Sequence, residues 1–239
     1  MTLLTYTDLG DGDVTLLLHG GAGPQSVAPF APRLGGRVLT PTHPGFAGTA
    51  RPPELTSVRA LAAGYADLLD ELDLRDVLVV GSSVGGWVAA ELALLRPDRV
   101  GRLVLVDAVG IEVPDHPVAD FFALSLPELA ELSYHQPDAF RIDPSTMSDA
   151  QRAAMAGNRA ALAVYAASMT DPTLLGRLAG IVVPTLVVWG ESDRIVDADY
   201  GRAYADAIPG ARFELLRATG HMPQLETPQA LAEAIARFR

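Results

Sequence analysis

The 239-residue chain predicts an α/β fold: a mainly parallel, doubly wound sheet with helices on both faces. Three observations carry that prediction. Short apolar runs recur at 15–18, 37–39, 77–80, 103–106, 185–189 and 213–216. They are nearly unbroken, whereas a strand with one wet face would alternate. Stretches with helical signals follow most of them, at 57–72, after Ser83 and after each of the last two runs. A hydrophobic content of 49% is enough for one core large enough to bury such strands on both sides.

The elements follow in order. Residues 3–7 and 14–18 flank Gly10-Asp11-Gly12-Asp13, which predicts an antiparallel edge hairpin. Asp171-Pro172 and Thr227-Pro228 each place an N-cap residue before a proline at the first helical position. Ser148 and Gln151 have capping-box spacing and open a helix expected to reach about Met169. The stretch 112–170 breaks the strand–helix rhythm: it begins with Pro114, Pro117 and Pro127 and then turns helical. It reads as a helical cap (112–170) inserted into a core made of 1–111 and 171–239, over the carboxyl ends of the strands, where open α/β sheets bind ligands. No internal repeat or low-complexity linker is present.

Composition narrows the function classes. The formal net charge is −11 and no basic stripe occurs, so the expected partner is a small molecule, with neither nucleic acid nor an anionic membrane surface. The first residues lack a charged leader pattern and no apolar run approaches membrane-spanning length, so a soluble cytoplasmic protein is expected. Without cysteine there is no disulfide, thiolate metal site or cysteine nucleophile. All 18 basic residues are arginine, which excludes a P-loop lysine and a Schiff-base lysine. The five histidines show no close ligand spacing, so neither a metal nor another cofactor is expected. No pattern encodes the oligomeric state.

The chemistry concentrates at Gly81-Ser82-Ser83-Val84-Gly85, a G-x-S-x-G motif between an apolar strand and a helix. A sharp strand-to-helix turn holds the serine out, and the helix behind it points free N–H groups at a developing anion. Such a serine needs a base, and the base needs an orienting acid. His221 is the one histidine downstream of the last predicted strands, and Asp193 lies on the preceding strand-end loop.

Five motifs in order make the chain resemble the α/β-hydrolase family over nearly its whole length. They are His19-Gly20-Gly21-Ala22-Gly23, Pro44-Gly45-Phe46, the Gly81–Gly85 elbow, Trp189-Gly190 with Asp193, and Gly220-His221 followed by Pro223 and Glu226. The resemblance implies Ser83 as nucleophile, His221 as general base and Asp193 as acid. The oxyanion hole would be the N–H groups of Val84 and Gly21. Two other acids compete: Asp197 nearby, and Asp107 at the end of an earlier strand, where some family members carry theirs. His19 is expected to shape its loop by hydrogen bonding, His43, His116 and His135 to sit at the surface or rim, and Trp87 and Trp189 to pack the core. Phe121, Phe122, Tyr134 and Tyr165 are the candidate substrate-binding residues of the cap.

The leading expectation is hydrolysis of an ester-like bond of a small uncharged substrate through an acyl-enzyme. The alternative is carbon–carbon hydrolysis of a vinylogous diketone, because the Gly20-Gly21-Ala22-Gly23-Pro24 loop is similar to that of meta-cleavage product hydrolases. That group usually has asparagine before the nucleophile and tryptophan after the histidine, where this chain has Ser82 and Met222. A reading from another class is a small-molecule receptor with vestigial hydrolysis.

Overall fold

Successive side chains of a strand point to opposite faces, and the buried residues divide accordingly. Leu16, Leu18, Val77, Val79, Leu103, Leu105, Val187 and Trp189 join one apolar cluster. Leu17, Leu78, Val80, Val104, Val106, Leu186 and Val188 join the other. The computed structural model describes residues 4–239. Its sheet has seven strands among those residues: β1 (Thr5–Leu9), β2 (Val14–Leu18), β3 (Arg37–Thr42), β4 (Val77–Ser82), β5 (Val100–Val106), β6 (Thr185–Gly190) and β7 (Arg212–Leu216). Their spatial order is β1-β3-β2-β4-β5-β6-β7, parallel throughout except for the β1–β3 pair.

The expected edge hairpin is not formed. β1 and β2 run antiparallel in space, but β3 lies between them, pairing with β1 on one side and β2 on the other. Leu3, which the expectation included, lies outside the described residues. The physical reason is burial. Leu16, Leu17 and Leu18 are at most 2% exposed and need neighbours on both faces and both edges, whereas β1 is largely exposed and suits the rim. The glycines of the supposed hairpin turn admit the third strand: Arg37 N–H donates to Asp13 O at 3.0 Å, and a Cβ on Gly10 would fall 2.2 Å from Gly36 O.

Nine α-helices accompany the sheet among the described residues: α1 (Val58–Glu71), α2 (Val84–Leu95), α3 (Leu126–Ser133), α4 (Pro137–Phe140), α5 (Asp149–Tyr165), α6 (Leu174–Arg177), α7 (Ala198–Ala207), α8 (Pro223–Glu226) and α9 (Pro228–Phe238). α1, α2 and α7 cover one face through Leu61, Tyr65, Val88, Leu92, Tyr200 and Tyr204. α9 covers the other through Leu231, Ile235 and Phe238. Local signals set most starts. Ser57 caps α1, and Ser148 and Gln151 form the expected capping box of α5. α5 ends at Tyr165, short of the expected Met169, because Ala166 leaves helical backbone and Met169 takes φ 58°. Asp171 serves a turn instead of a cap: its carboxylate accepts from the N–H of Thr173, and α6 starts later. Thr227 stands at the N-cap of α9, but its hydroxyl bonds Thr219.

α3, α4, α5 and α6 all lie in the connection between β5 and β6. α5 turns Asn158, Ala161, Leu162 and Tyr165 inward, the i, i+3, i+4, i+7 face of a helix. Three of these, with Met169, belong to the same cluster as the sheet residues, so this connection packs directly on the core. No described helix is long and apolar enough to cross a membrane.

Candidate active site

β4 ends at Ser82 and α2 begins at Val84, so Ser83 alone makes the turn. It does so at φ 56°, ψ −121°, a conformation that L-residues other than glycine rarely adopt. The motif glycines permit the turn by close approach. A Cβ on Gly81 would lie 2.2 Å from Gly85 O, and one on Gly85 would lie 2.5 Å from both Leu18 O and His19 O. The loop after β2 thereby rests on the elbow, and a Cβ on Gly20 would touch the Ser83 side chain, 2.9 Å from its Cβ. The N–H groups of Gly21 and Val84 have no hydrogen-bond acceptor among the described residues. Val84 follows Ser83 in the chain, and Gly21 follows Gly20, the residue whose Cβ position meets the Ser83 side chain.

Ser83, His221 and Asp193 come together. His221 Nε2 lies 3.0 Å from Ser83 Oγ, and His221 Nδ1 lies 2.7 Å from Asp193 Oδ2. A carboxylate only accepts, so Nδ1 carries the proton and Nε2 is left to accept from the serine hydroxyl. All three are buried, at 7%, 6% and 3% exposure. Asp193 Oδ1 accepts further from the N–H groups of Ile195 and Val196 at 2.8 and 3.1 Å. Backbone bonds from Glu191 to Leu216 O and from Ser192 to Thr219 O join the acid loop to the histidine loop.

The competing acids separate clearly. Asp197 caps α7 and pairs with His116 at 2.7 Å, away from His221. Asp107 is wholly buried behind Asp193. Ligand-type atoms of Asp107, Asp193 and His221 all lie within 4.8 Å of one another. His221 and Asp193 are already bonded to each other, so we assign this group no metal.

His43 is not at the rim. It is 1% exposed and its ring packs against that of His19, tilted by 39° with the ring centroids 3.9 Å apart. His19 Nδ1 donates to Gly20 O (2.7 Å), which leaves Nε2 to accept from the His43 N–H (3.1 Å). His43 Nε2 donates to His19 O (2.8 Å), and Nδ1 accepts from Tyr65 Oη. Every ring nitrogen is used, both rings are neutral, and the glycine loop is tied to α1. Burial pulls the His43 imidazole down to about 4 and that of His19 well below its usual value. His19 thus shapes its loop, as expected. His116 and His135 are surface residues; His135 Nδ1 bonds Ser192 Oγ at 2.8 Å. Trp87 and Trp189 are core.

The connection between β5 and β6 touches the site from above. Leu162 Cδ2 would lie 2.8 Å from a Cβ on Gly21, and Phe121 Cζ 3.9 Å from it. Phe122 packs edge-on against Phe121, and the Arg159 guanidinium covers both rings at 5.3 and 5.6 Å. Tyr134 stacks on Phe140 at 4.6 Å. Tyr165 is 5% exposed and donates to Pro44 O at 2.9 Å. It anchors α5 to the loop after β3.

Three contributors escaped the reading of the sequence. Asn158, 3% exposed, accepts from Ala47 N–H (2.8 Å) and donates to Ala22 O (3.2 Å). The one polar residue on the inward face of α5 was its signal. Leu162, on the same face, closes over Gly21. Glu226, noted only as part of a motif, accepts from the backbone N–H groups of Gly220, His135 and Gln136, joining the histidine loop to the α3–α4 turn. Ser133 O at the end of α3 accepts from His221 N–H at 2.7 Å.

Comparison with known proteins agrees with this architecture. The chain is 29% identical to a 2-hydroxy-6-oxononadienedioate/2-hydroxy-6-oxononatrienedioate hydrolase of Cupriavidus pinatubonensis, over 97% of this chain and 88% of that one. It is 28% identical to the 2-hydroxymuconate semialdehyde hydrolase of Pseudomonas putida, with the same coverage. Among solved structures, the meta-cleavage product hydrolase of Pseudomonas fluorescens IP01 superposes with a TM-score of 0.81 at 19% identity, covering 98% of this chain and 93% of that one. A thermophilic esterase from Thermogutta terrifontis does so with a TM-score of 0.79 at 24% identity, covering 98% and 92%. Both likenesses speak to the fold. The model of the alpha/beta hydrolase family matches residues 15–234, most of the length, and the chain belongs to that family.

Proposed function

We propose that the protein is a serine hydrolase that cleaves the carbon–carbon bond beside a ketone in a vinylogous diketone. The observation that carries this reading is the pair of relatives, 28–29% identical over nearly the whole chain, named as a 2-hydroxy-6-oxononadienedioate/2-hydroxy-6-oxononatrienedioate hydrolase and a 2-hydroxymuconate semialdehyde hydrolase. It reverses the order of preference drawn from the sequence, where ester cleavage came first. Ser83 Oγ attacks the ketone carbon while His221 Nε2 takes the hydroxyl proton and Asp193 steadies the imidazolium. The N–H groups of Gly21 and Val84 hold the oxyanion, each contributing about 3 kcal/mol to the barrier reduction. Collapse breaks the carbon–carbon bond, its electron pair spreads into the conjugated chain, and His221 returns the proton. Water, activated by the same histidine, then releases the acyl group from Ser83.

Segment 112–170 serves in this reading as a cap, with Phe121, Phe122 and Tyr134 facing the substrate and Tyr165 holding the cap in place. Ester hydrolysis is the second reading. Its support is that Ser82 and Met222 stand where the meta-cleavage group usually carries asparagine and tryptophan. The first covalent step is common to both.

The deciding experiment compares kcat/KM for dienone-type diketones with that for a series of chromogenic esters. The expected outcome is a preference of about 100-fold for the diketone, a ratio that specific pocket contacts can supply. The opposite order would establish the esterase, and one stoichiometric burst without turnover would establish a receptor. Ser83→Ala should abolish turnover of both substrate types, leaving a residual of roughly a thousandfold over water. A fluorophosphonate should label the wild type at Ser83, and labelling elsewhere would overturn the assignment.

A further inference from the structure

Behind the acid that orients His221 stands a second carboxyl group for which the triad has no use. Asp107 closes β5 in a left-handed conformation, φ 45°, and is 0% exposed. Its Oδ1 accepts from the N–H of Gly190 at 2.8 Å. Its Oδ2 is buried with no hydrogen-bond donor facing it. The titratable side chains facing it are Asp193, on the loop after β6, and His221, on the loop after β7. No arginine pairs with it among the described residues.

Two carboxylates side by side in a dry site cannot both stay ionised. Asp193 has three donors, from Ile195, Val196 and His221, whereas Asp107 has one. The charge therefore belongs on Asp193 and the proton on Asp107. A proton on Asp107 Oδ2 also resolves the orphaned oxygen, since two carboxylate oxygens make a hydrogen bond only when one of them carries a hydrogen.

We infer that Asp107 is a neutral carboxylic acid that donates a hydrogen bond to the Asp193 carboxylate, making it a positioning residue for the catalytic acid. Burial and the Asp193 charge hold the Asp107 carboxyl well above the usual carboxylate range. The donated bond fixes the carboxylate plane toward His221 Nδ1. It also draws charge away from Asp193, so that the imidazolium formed in the first step gives up its proton readily in the second. The inference rests on the proposed triad, but its first test does not need turnover.

Infrared spectra of the wild-type protein with ¹³C-labelled aspartate should show a protonated carboxyl C=O band at neutral pH, absent in Asp107→Asn. Asparagine keeps a donor toward Asp193 and a carbonyl toward Gly190. It should therefore hold kcat within about threefold of wild type, whereas Asp107→Leu should lower kcat about 30-fold or more at nearly constant KM. Asp107→Asn should also unfold at a higher temperature than wild type, by a margin that widens as pH rises above the ordinary carboxylate range. The unfolded wild type ionises Asp107 at the ordinary carboxylate value, whereas the folded protein holds that proton to higher pH. Absence of the protonated band in wild type would overturn the inference, as would a loss in Asp107→Asn as large as that in Asp193→Asn. Failure of the triad itself would appear separately, as activity retained in Ser83→Ala.

Discussion

The elbow around Ser83 and the α3–α5 connection above it are built by opposite means. At the elbow, backbone meets backbone: Gly81 faces Gly85, and Gly85 faces Leu18 and His19, at distances that leave no room for a methyl group. In the connection, side chains make the contacts. Asn158, Leu162 and Tyr165 reach down to the loops after β2 and β3, while a Cβ on Gly157 would meet nothing within 4 Å. Backbone-to-backbone packing fixes atoms to a fraction of an ångström and suits chemistry that is lost by misplacing one. Side-chain packing tolerates exchange and suits a surface that selects substrates. The two regions still share one core, because Leu162 and Tyr165 pack in the same cluster as the sheet residues.

The sharpest way to break this contrast is to compare one substitution in each region by kinetics. Asp193→Asn should lower kcat by about 10⁴ through the wrong His221 tautomer, with little effect on substrate binding. Phe122→Ala should leave kcat on a good substrate within about tenfold and move the preference toward larger acyl groups. A collapse of kcat in Phe122→Ala would place the chemistry in the connection as well.

Glycine replacements test the same contrast through stability. Gly85→Ala should destabilise the fold by about 3 kcal/mol or more, because the carbonyls of Leu18 and His19 must move, and it should displace the loop after β2. Gly157→Ala, inside α5 with open space around it, should stabilise by up to about 1 kcal/mol. Denaturant unfolding of both variants measures the difference, and equal effects would remove the distinction.

Acid sharpens it further, because the buried His19–His43–Tyr65 network belongs to the elbow side. Burial holds the folded His43 imidazole at about 4 against an ordinary 6.5, so the unfolded chain takes up the proton first. This contribution is fully present above pH 6.5 and is lost as pH falls toward about 4, amounting to about 3 kcal/mol. Ring resonances of His43 in the folded protein should remain those of a neutral imidazole down to about pH 5. Titration near the ordinary value would mean that water reaches the network.

Near-unbroken apolar runs gave away six of the strands: in β2, β4 and β6 burial on both faces leaves little room for a polar residue, and the edge strand β7 showed itself through Phe213, Leu215 and Leu216. The elbow was equally legible, since Gly81, Ser83 and Gly85 are demanded by local backbone geometry and local geometry is written in consecutive residues. β1 was misplaced because pairing depends on which strand needs burial most, a competition that involves the whole sheet. His43 was misread for a related reason: its burial comes from Tyr65 and His19, each more than twenty residues away.

The sequence by itself determined the layered α/β architecture, the strained turn that presents Ser83, and the order in which serine, acid and histidine appear. These follow from periodicity, glycine placement and strand ends, all short-range properties of the chain. Only the tertiary structure decided that Asp193 faces His221 while Asp197 caps a helix, and that Asp107 lies buried behind the acid. It also decided that Leu162 closes over Gly21. Those choices rest on contacts between loops far apart in the chain, where angstrom distances and the exclusion of water set the partners of each carboxyl.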